Sequence, residues 1–145
     1  MIGASRESVT RVQQSLASRK GDLSTLSADL LAVASVIAAE PALQQTLADS
    51  GQPAAARQAL VGDLLAGKVG KDAVEVLGDV VAQRWSSAAD LVEAVEMLGA
   101  QAAFMAAGSQ LAGVEDEVFA FGRIVDASPE LQMALTDPAA PRSAK

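Results

Sequence analysis

The chain contains no cysteine, no histidine and no tyrosine, and only one tryptophan and three phenylalanines among its 145 residues. Without cysteine there is neither a disulfide framework nor a thiolate nucleophile. Without histidine as well, most acid–base, nucleophilic and transition-metal ligand sets are out of reach. No catalytic residue, metal site or cofactor is therefore expected, and the composition is a poor one for an enzyme. The scarcity of aromatic residues and of alternating β-branched runs argues against a sheet. A formal charge of −7 disfavours nonspecific attraction to nucleic acid or to an anionic membrane, so no nucleic-acid partner is expected. Long apolar runs are missing too: LLAVASVIAA (30–39) is about half the length of a bilayer span, so no direct membrane insertion is expected. MIGASRES at the start has no basic stretch leading into an apolar core, and so does not read as a signal peptide.

What the chain does have is alanine, 31 residues of it, in a composition that is 50% apolar. Alanine is the strongest helix former, and the expected fold class is all-α. SRESVTRVQQSLASR (5–19) opens on a serine cap candidate and sets Val9, Val12 and Leu16 on one narrow stripe. STLSADLLAVASVIAAE (24–40) places Leu26, Leu30, Val33 and Ile37 on one face, widened by Leu31 and Ala34, and Pro41 stops it. A short helix over 42–49 and a turn at SGQP (50–53) follow. PAAARQALVGDLLAGK (53–68) carries Ala56, Leu60 and Leu64 on a stripe, with Val61 and Leu65 beside it. DAVEVLGDVVAQRW (72–85) starts at an aspartate cap and spaces Val74, Leu77, Val80, Val81 and Trp85 as a helix would. The segment 86–108 aligns Leu91, Val95, Leu98, Ala102 and Met105. The segment 111–128 aligns Val114, Val118, Phe121 and Val125 and ends at Pro129, before a last short helix at LQMALTD.

Two of these corners echo one another. EPALQQTLADS (40–50) returns as SPELQMALTDP (128–138), 88 positions later. At the same offset Leu30, Val33, Ile37, Pro41, Leu43, Leu47, Asp49 and Pro53 pair with Val118, Phe121, Val125, Pro129, Leu131, Leu135, Asp137 and Pro141. Matching prolines and an aspartate exceed what shared helix periodicity alone supplies, and the reading is an internal repeat.

Three local motifs have weaker claims. GDLLAGK (62–68) has the spacing of a phosphate-binding loop, but Val69 stands where a Ser or Thr should hold magnesium. Its surroundings read as the end of a helix, whose carbonyls repel phosphate, so Gly67 and Gly70 are expected to act as a stop and a connector. The consecutive acids Glu115, Asp116 and Glu117 point in three directions on a helix, which describes a solvated face better than a cation site. Trp85, between two helices, reads as a core anchor; beside Arg84 it also suits an interface.

Taken in order, SRES, LLAVASVIAAEPALQQTLAD, GKVG, QRWSSAADLVEAVE and VEDEVFAFGRIVDASPELQMALTDPAAP make the chain resemble a known family. It is the delta subunit of F-type ATP synthase in its actinobacterial form, counterpart of the oligomycin-sensitivity-conferring protein. The resemblance covers nearly the whole chain and is most specific at GKVG, RWS, DLVEA and VEDEVFAFGRI. It implies a six-helix bundle over residues 1–108, the start of a second, truncated copy over 109–137, and a disordered tail over 138–145. It also implies that the chain is the N-terminal part of a longer protein. The implied function is non-catalytic: a stator part that binds alpha-subunit N-terminal segments on the catalytic head. The full-length protein would join them to the b subunits of the peripheral stalk, peripherally at the cytoplasmic face of the plasma membrane. In the family the alpha-subunit helix lies between the first and fifth helices, which maps here onto Val9, Val12 and Leu16 against Leu77, Val80, Val81 and Arg84. The unfinished second copy is expected to fold back, pair with another chain or fray. The rival function class is a helical adaptor or regulator unrelated to the synthase.

Overall fold

A computed structural model describes residues 1–141 and 144–145; Arg142 and Ser143, inside the expected 138–145 tail, lie outside the described residues. The described residues form eight α-helices and no strand, so the protein is all-α. These are α1 (Ala4–Ala17), α2 (Leu23–Ala39), α3 (Pro41–Ala48), α4 (Ala54–Leu65), α5 (Lys71–Ala82), α6 (Ala88–Ala107), α7 (Leu111–Ala127) and α8 (Pro129–Thr136), with one 3-10 turn at Gly108–Gln110. The chain divides into two units, Met1–Ala106 and Ala107–Lys145.

The first unit owns the core. Its centre is aliphatic: Leu16 from α1, Leu30 from α2, Val80 from α5, and Leu91, Val95 and Leu98 from α6 are completely buried. Each such leucine contributes roughly 1.5–3 kcal/mol by leaving water. The stripe expected on α2 is the one that packs, except that Leu31 turns to the surface side and lies against Gly99 of α6. A side chain at Gly99 would put its Cβ 2.8 Å from Leu31 Cγ. The glycine thus lets α2 and α6 approach closely enough for Ser27 Oγ to donate to the Gly99 carbonyl at 2.8 Å.

Helix ends depart from the sequence reading in instructive ways. The residue capping α1 is Gly3, not a serine; Ser5 is the second residue of the helix and is fully buried. The cap of α5 is Gly70, with Asp72 in the first turn, where a carboxylate suits the positive end of the helix. Pro41 and Pro129 each begin a helix, since the first turn has no use for the missing N–H. The stripe on α4 is rotated by about one residue's turn. Arg57 and Val61 are buried, whereas Ala56 and Leu64 are exposed, because α4 packs on α5 with its Arg57 face. Helix α4 ends at Leu65, and Gly67 follows with φ of 71°, a left-handed conformation that glycine adopts without Cβ strain. The segment GDLLAGK is therefore a helix terminus of the carbonyl-bearing kind.

Asp22 caps α2. Its carboxylate accepts from the Thr25 hydroxyl at 2.6 Å and from the Thr25 backbone N–H at 3.0 Å. Those bonds, the hydroxyl first, hold the Asp22 carboxyl below its ordinary value. The depressed value means that the cap stabilises the fold fully above the ordinary carboxylate pKa, and that its contribution fades as pH falls through the folded-state value. Asp22→Asn keeps the capping geometry but cannot titrate. Urea denaturation from neutral to acid pH is expected to show a shallower acid loss for this variant than for the parent; identical slopes would contradict the assignment.

The second unit holds α7 and α8. Helices α2 and α7 are each 17 residues long, and α3 and α8 are each 8. The connecting residues have near-identical backbones: Glu40 at φ −122°, ψ 87° and Ser128 at φ −126°, ψ 98°. Ser128 also caps α8, accepting from the Leu131 N–H. None of this unit's described residues is buried, and Val118, Phe119, Phe121, Ile124 and Met133 are exposed. Asp137 closes α8 with a turn, accepting from the Ala139 N–H at 2.8 Å.

Candidate functional site

The seven residues singled out from the sequence lie on α1 and on or just beyond α5, two helices in contact, and Leu77, Val80 and Val81 also line an apolar cleft between α2 and α4. Val9, Val12, Leu16, Leu77, Val80 and Val81 are all buried core residues, and Arg84 is exposed just beyond the end of α5. The seam is apolar within and polar outside. Along its outer edge Ser15 Oγ donates to Asp79 at 3.1 Å, and Arg19 reaches Glu75 at 3.0 Å and Asp79 at 3.7 Å. At the other end Ser8 Oγ donates to the Arg84 carbonyl at 2.7 Å. Ser5 Oγ donates to Asp90 at 2.7 Å and accepts from the Ser86 N–H at 2.7 Å. Small buried serines let α1 lie close to the α5–α6 corner, and each finds the partner that burial demands.

Trp85 occupies that corner. Helix α5 ends at Ala82 rather than running to Trp85, because Gln83 is extended (ψ 172°). The indole then folds back and donates from Nε1 to the Val80 carbonyl at 2.9 Å. That carbonyl belongs to the last turn and also accepts from the Gln83 N–H at 3.1 Å, so the indole is its second donor. With 8% of its surface exposed, Trp85 is a core side chain of the corner.

Two features escaped the sequence reading. The first is Arg57, 4% exposed in the first turn of α4. Its Nη1 donates to the Leu47 carbonyl at 3.3 Å and the Gln83 carbonyl at 3.2 Å, while Nε has no partner. Both carbonyls lie at helix C-termini, those of α3 and α5, where the partial negative charge favours a cation. The second is an apolar cleft of about 330 Å³ between α2 and α4, floored by Val61, Val80 and Leu91. Val36 (59% exposed) and Leu64 (37%) stand at its rim, and Lys68 is its one charged lining residue. The only sequence signal was an apolar pattern on α2 and α4 wider than one packed face.

No family model matches the chain, but individual relatives do. The delta subunit of ATP synthase from Parafrankia sp. is 45% identical over 122 residues, covering 83% of this chain and 44% of that protein. The delta subunit from Frankia casuarinae is 38% identical over an alignment of 156 positions, covering 100% of this chain and 56% of its own length. The Streptomyces avermitilis delta subunit is 38% identical over 149, covering 99% and 55%. Over nearly its whole length the chain is similar to ATP synthase delta subunits. It spans about half the length of the curated relatives it matches.

Proposed function

We propose that the chain is part of a non-catalytic stator component of an F-type ATP synthase, the part that holds alpha-subunit N-terminal segments on the catalytic head. The observation that carries this reading is the similarity to ATP synthase delta subunits along the entire chain. In the full-length protein this part would connect through further residues to the b subunits of the peripheral stalk, at the cytoplasmic face of the plasma membrane. The physical task is to resist torque, and a bundle core of interlocked aliphatic side chains suits it, since close-packed interiors deform little under load. An amphipathic alpha-subunit helix would lie along the α1–α5 seam. Val9, Val12, Leu16, Leu77, Val80 and Val81 would back it from beneath, and Arg84 would form its exposed edge. The matched lengths of α2–α3 and α7–α8 support a further reading, that Leu111–Thr136 opens a second copy of the helical pattern. Its apolar face at Val118, Phe121 and Val125 would then take the place of Leu30, Val33 and Ile37, and in isolation that face favours self-association.

Titration of the chain with a peptide of the alpha-subunit N-terminal segment, followed by calorimetry and NMR, tests the central claim. Saturable binding with shifts along α1 and α5 is expected, weakened several-fold by Arg84→Glu, which reverses an exposed charge without touching the core. No heat and no shifts at millimolar peptide would refute it.

A further inference from the structure

We infer that the α2–α4 cleft binds a small amphiphilic anion, a free fatty acid of medium chain length, with the alkyl chain in the cleft and the carboxylate at Lys68. The inference is independent of the stator reading.

The cleft exists because α2 and α4 both pack on α5 and are not drawn together over it. Its polarity runs lengthwise. Leu47 stands at one end, beside Arg57 in the first turn of α4, and Lys68 stands at the other, past the end of that helix. The helix from Arg57 to Leu65 measures roughly 12 Å, the length of an extended chain of about ten carbons. A volume of about 330 Å³ has room for such a chain.

The walls decide what kind of molecule fills it. Every described lining side chain except Lys68 is aliphatic. A ring finds no aromatic partner there, and a second polar group on the ligand would be buried without a hydrogen bond. A flexible alkyl chain with one polar end meets both conditions. Charge sets the sign of that end. Lys68 is the one charged lining residue, exposed and without an ion pair among the described residues. Arg19, by contrast, is already surrounded by Asp72, Glu75 and Asp79. Two groups that could turn a carboxylate away are engaged elsewhere. Asp29 of α2 accepts from the Gly70 N–H at 2.8 Å and lines a separate hollow. At the end of α4 the Gly62 and Leu65 carbonyls accept from the Ala66 and Lys68 N–H groups, each at 3.0 Å, which blunts the negative end of the helix.

Sodium decanoate below its micelle concentration is the probe. Methyl-detected NMR is expected to show one saturable site that moves the Val36, Leu64 and Val69 methyls. From hexanoate through octanoate to decanoate, each added methylene should tighten binding about fourfold, and the gain should stop where the cleft ends. Lys68→Met keeps the apolar stem and should weaken decanoate about threefold while leaving decanol unchanged. Val36→Asp, at a position 59% exposed and so without risk to the core, should weaken decanoate by about tenfold. Equal affinity of the parent chain for decanol and decanoate would overturn the anion site. Affinity still rising through tetradecanoate, or shifts confined to the exposed Val118 and Ile124, would mean detergent-like adsorption, against the proposal. Vesicles of phosphatidylglycerol that move the cleft methyls where decanoate does not would make the cleft a membrane contact, equally against it. No shifts at millimolar decanoate overturn the site and leave the stator reading untouched.

Discussion

Trp85→Ala is expected to lower the unfolding free energy by about 3–5 kcal/mol, the range for emptying an aromatic site that cannot collapse. For a protein of this size the melting temperature should fall by roughly 10–20 °C. Two losses combine. The indole leaves a void at the α5–α6 corner, and the Val80 carbonyl loses one of its donors. Trp85→Phe separates them, because it keeps most of the ring volume and removes only the N–H; it should cost about 1 kcal/mol beyond the size difference. Circular dichroism during urea unfolding is the suitable readout, since the only tryptophan is the residue being changed. A Trp85→Ala variant within about 1 kcal/mol of the parent would show that the corner does not depend on this side chain.

Arg57→Ala is expected to cost about 3 kcal/mol, a sum of hydrogen bonds from a charged donor, worth about 1.5–3 kcal/mol each, less the solvation that burial takes away. The guanidinium bridges the carbonyl of Leu47 to that of Gln83 and so ties the ends of α3 and α5 to α4. Its removal strands two acceptors in the interior. Arg57→Met tests the balance, because methionine keeps the packed stem and leaves both the charge and its bonds behind. If burial of the cation were as costly as its bonds are favourable, Arg57→Met would be neutral to within about 1 kcal/mol, as happens at some buried ionic sites. The orphaned Nε reduces the gain from the bonds, yet two helix termini facing one cation should keep the sum favourable. A loss of about 2 kcal/mol or more on equilibrium unfolding is therefore expected for methionine.

Helix positions were legible because punctuation and periodicity agreed. Pro41, Pro53 and Pro129 stand at or immediately before helix starts, and Gly67 follows a helix end. The stripes Val9–Val12–Leu16, Leu30–Val33–Ile37 and Leu91–Val95–Leu98 are buried as their spacing requires. Where local signals competed, tertiary packing won. Ser5 looked like part of a cap region and is instead a buried hinge of hydrogen bonds to Asp90 and Ser86. On helix α4 the stripe of Ala56, Leu60 and Leu64 gave way to the neighbouring face of Arg57 and Val61, which packing against α5 buries.

The sequence by itself determined an all-helical chain, its breaks, the echo between 40–50 and 128–138 and its similarity to delta subunits, since these depend on residues near one another in the chain and on spelling shared with relatives. Only the tertiary structure decided which side of each helix faces inward. It closed the α1–α5 seam over six predicted contact residues, buried a cation between two helix termini, and left an apolar cleft open between α2 and α4. Those outcomes depend on how helices distant in sequence divide the surface of α5, and no single helix's periodicity encodes that division.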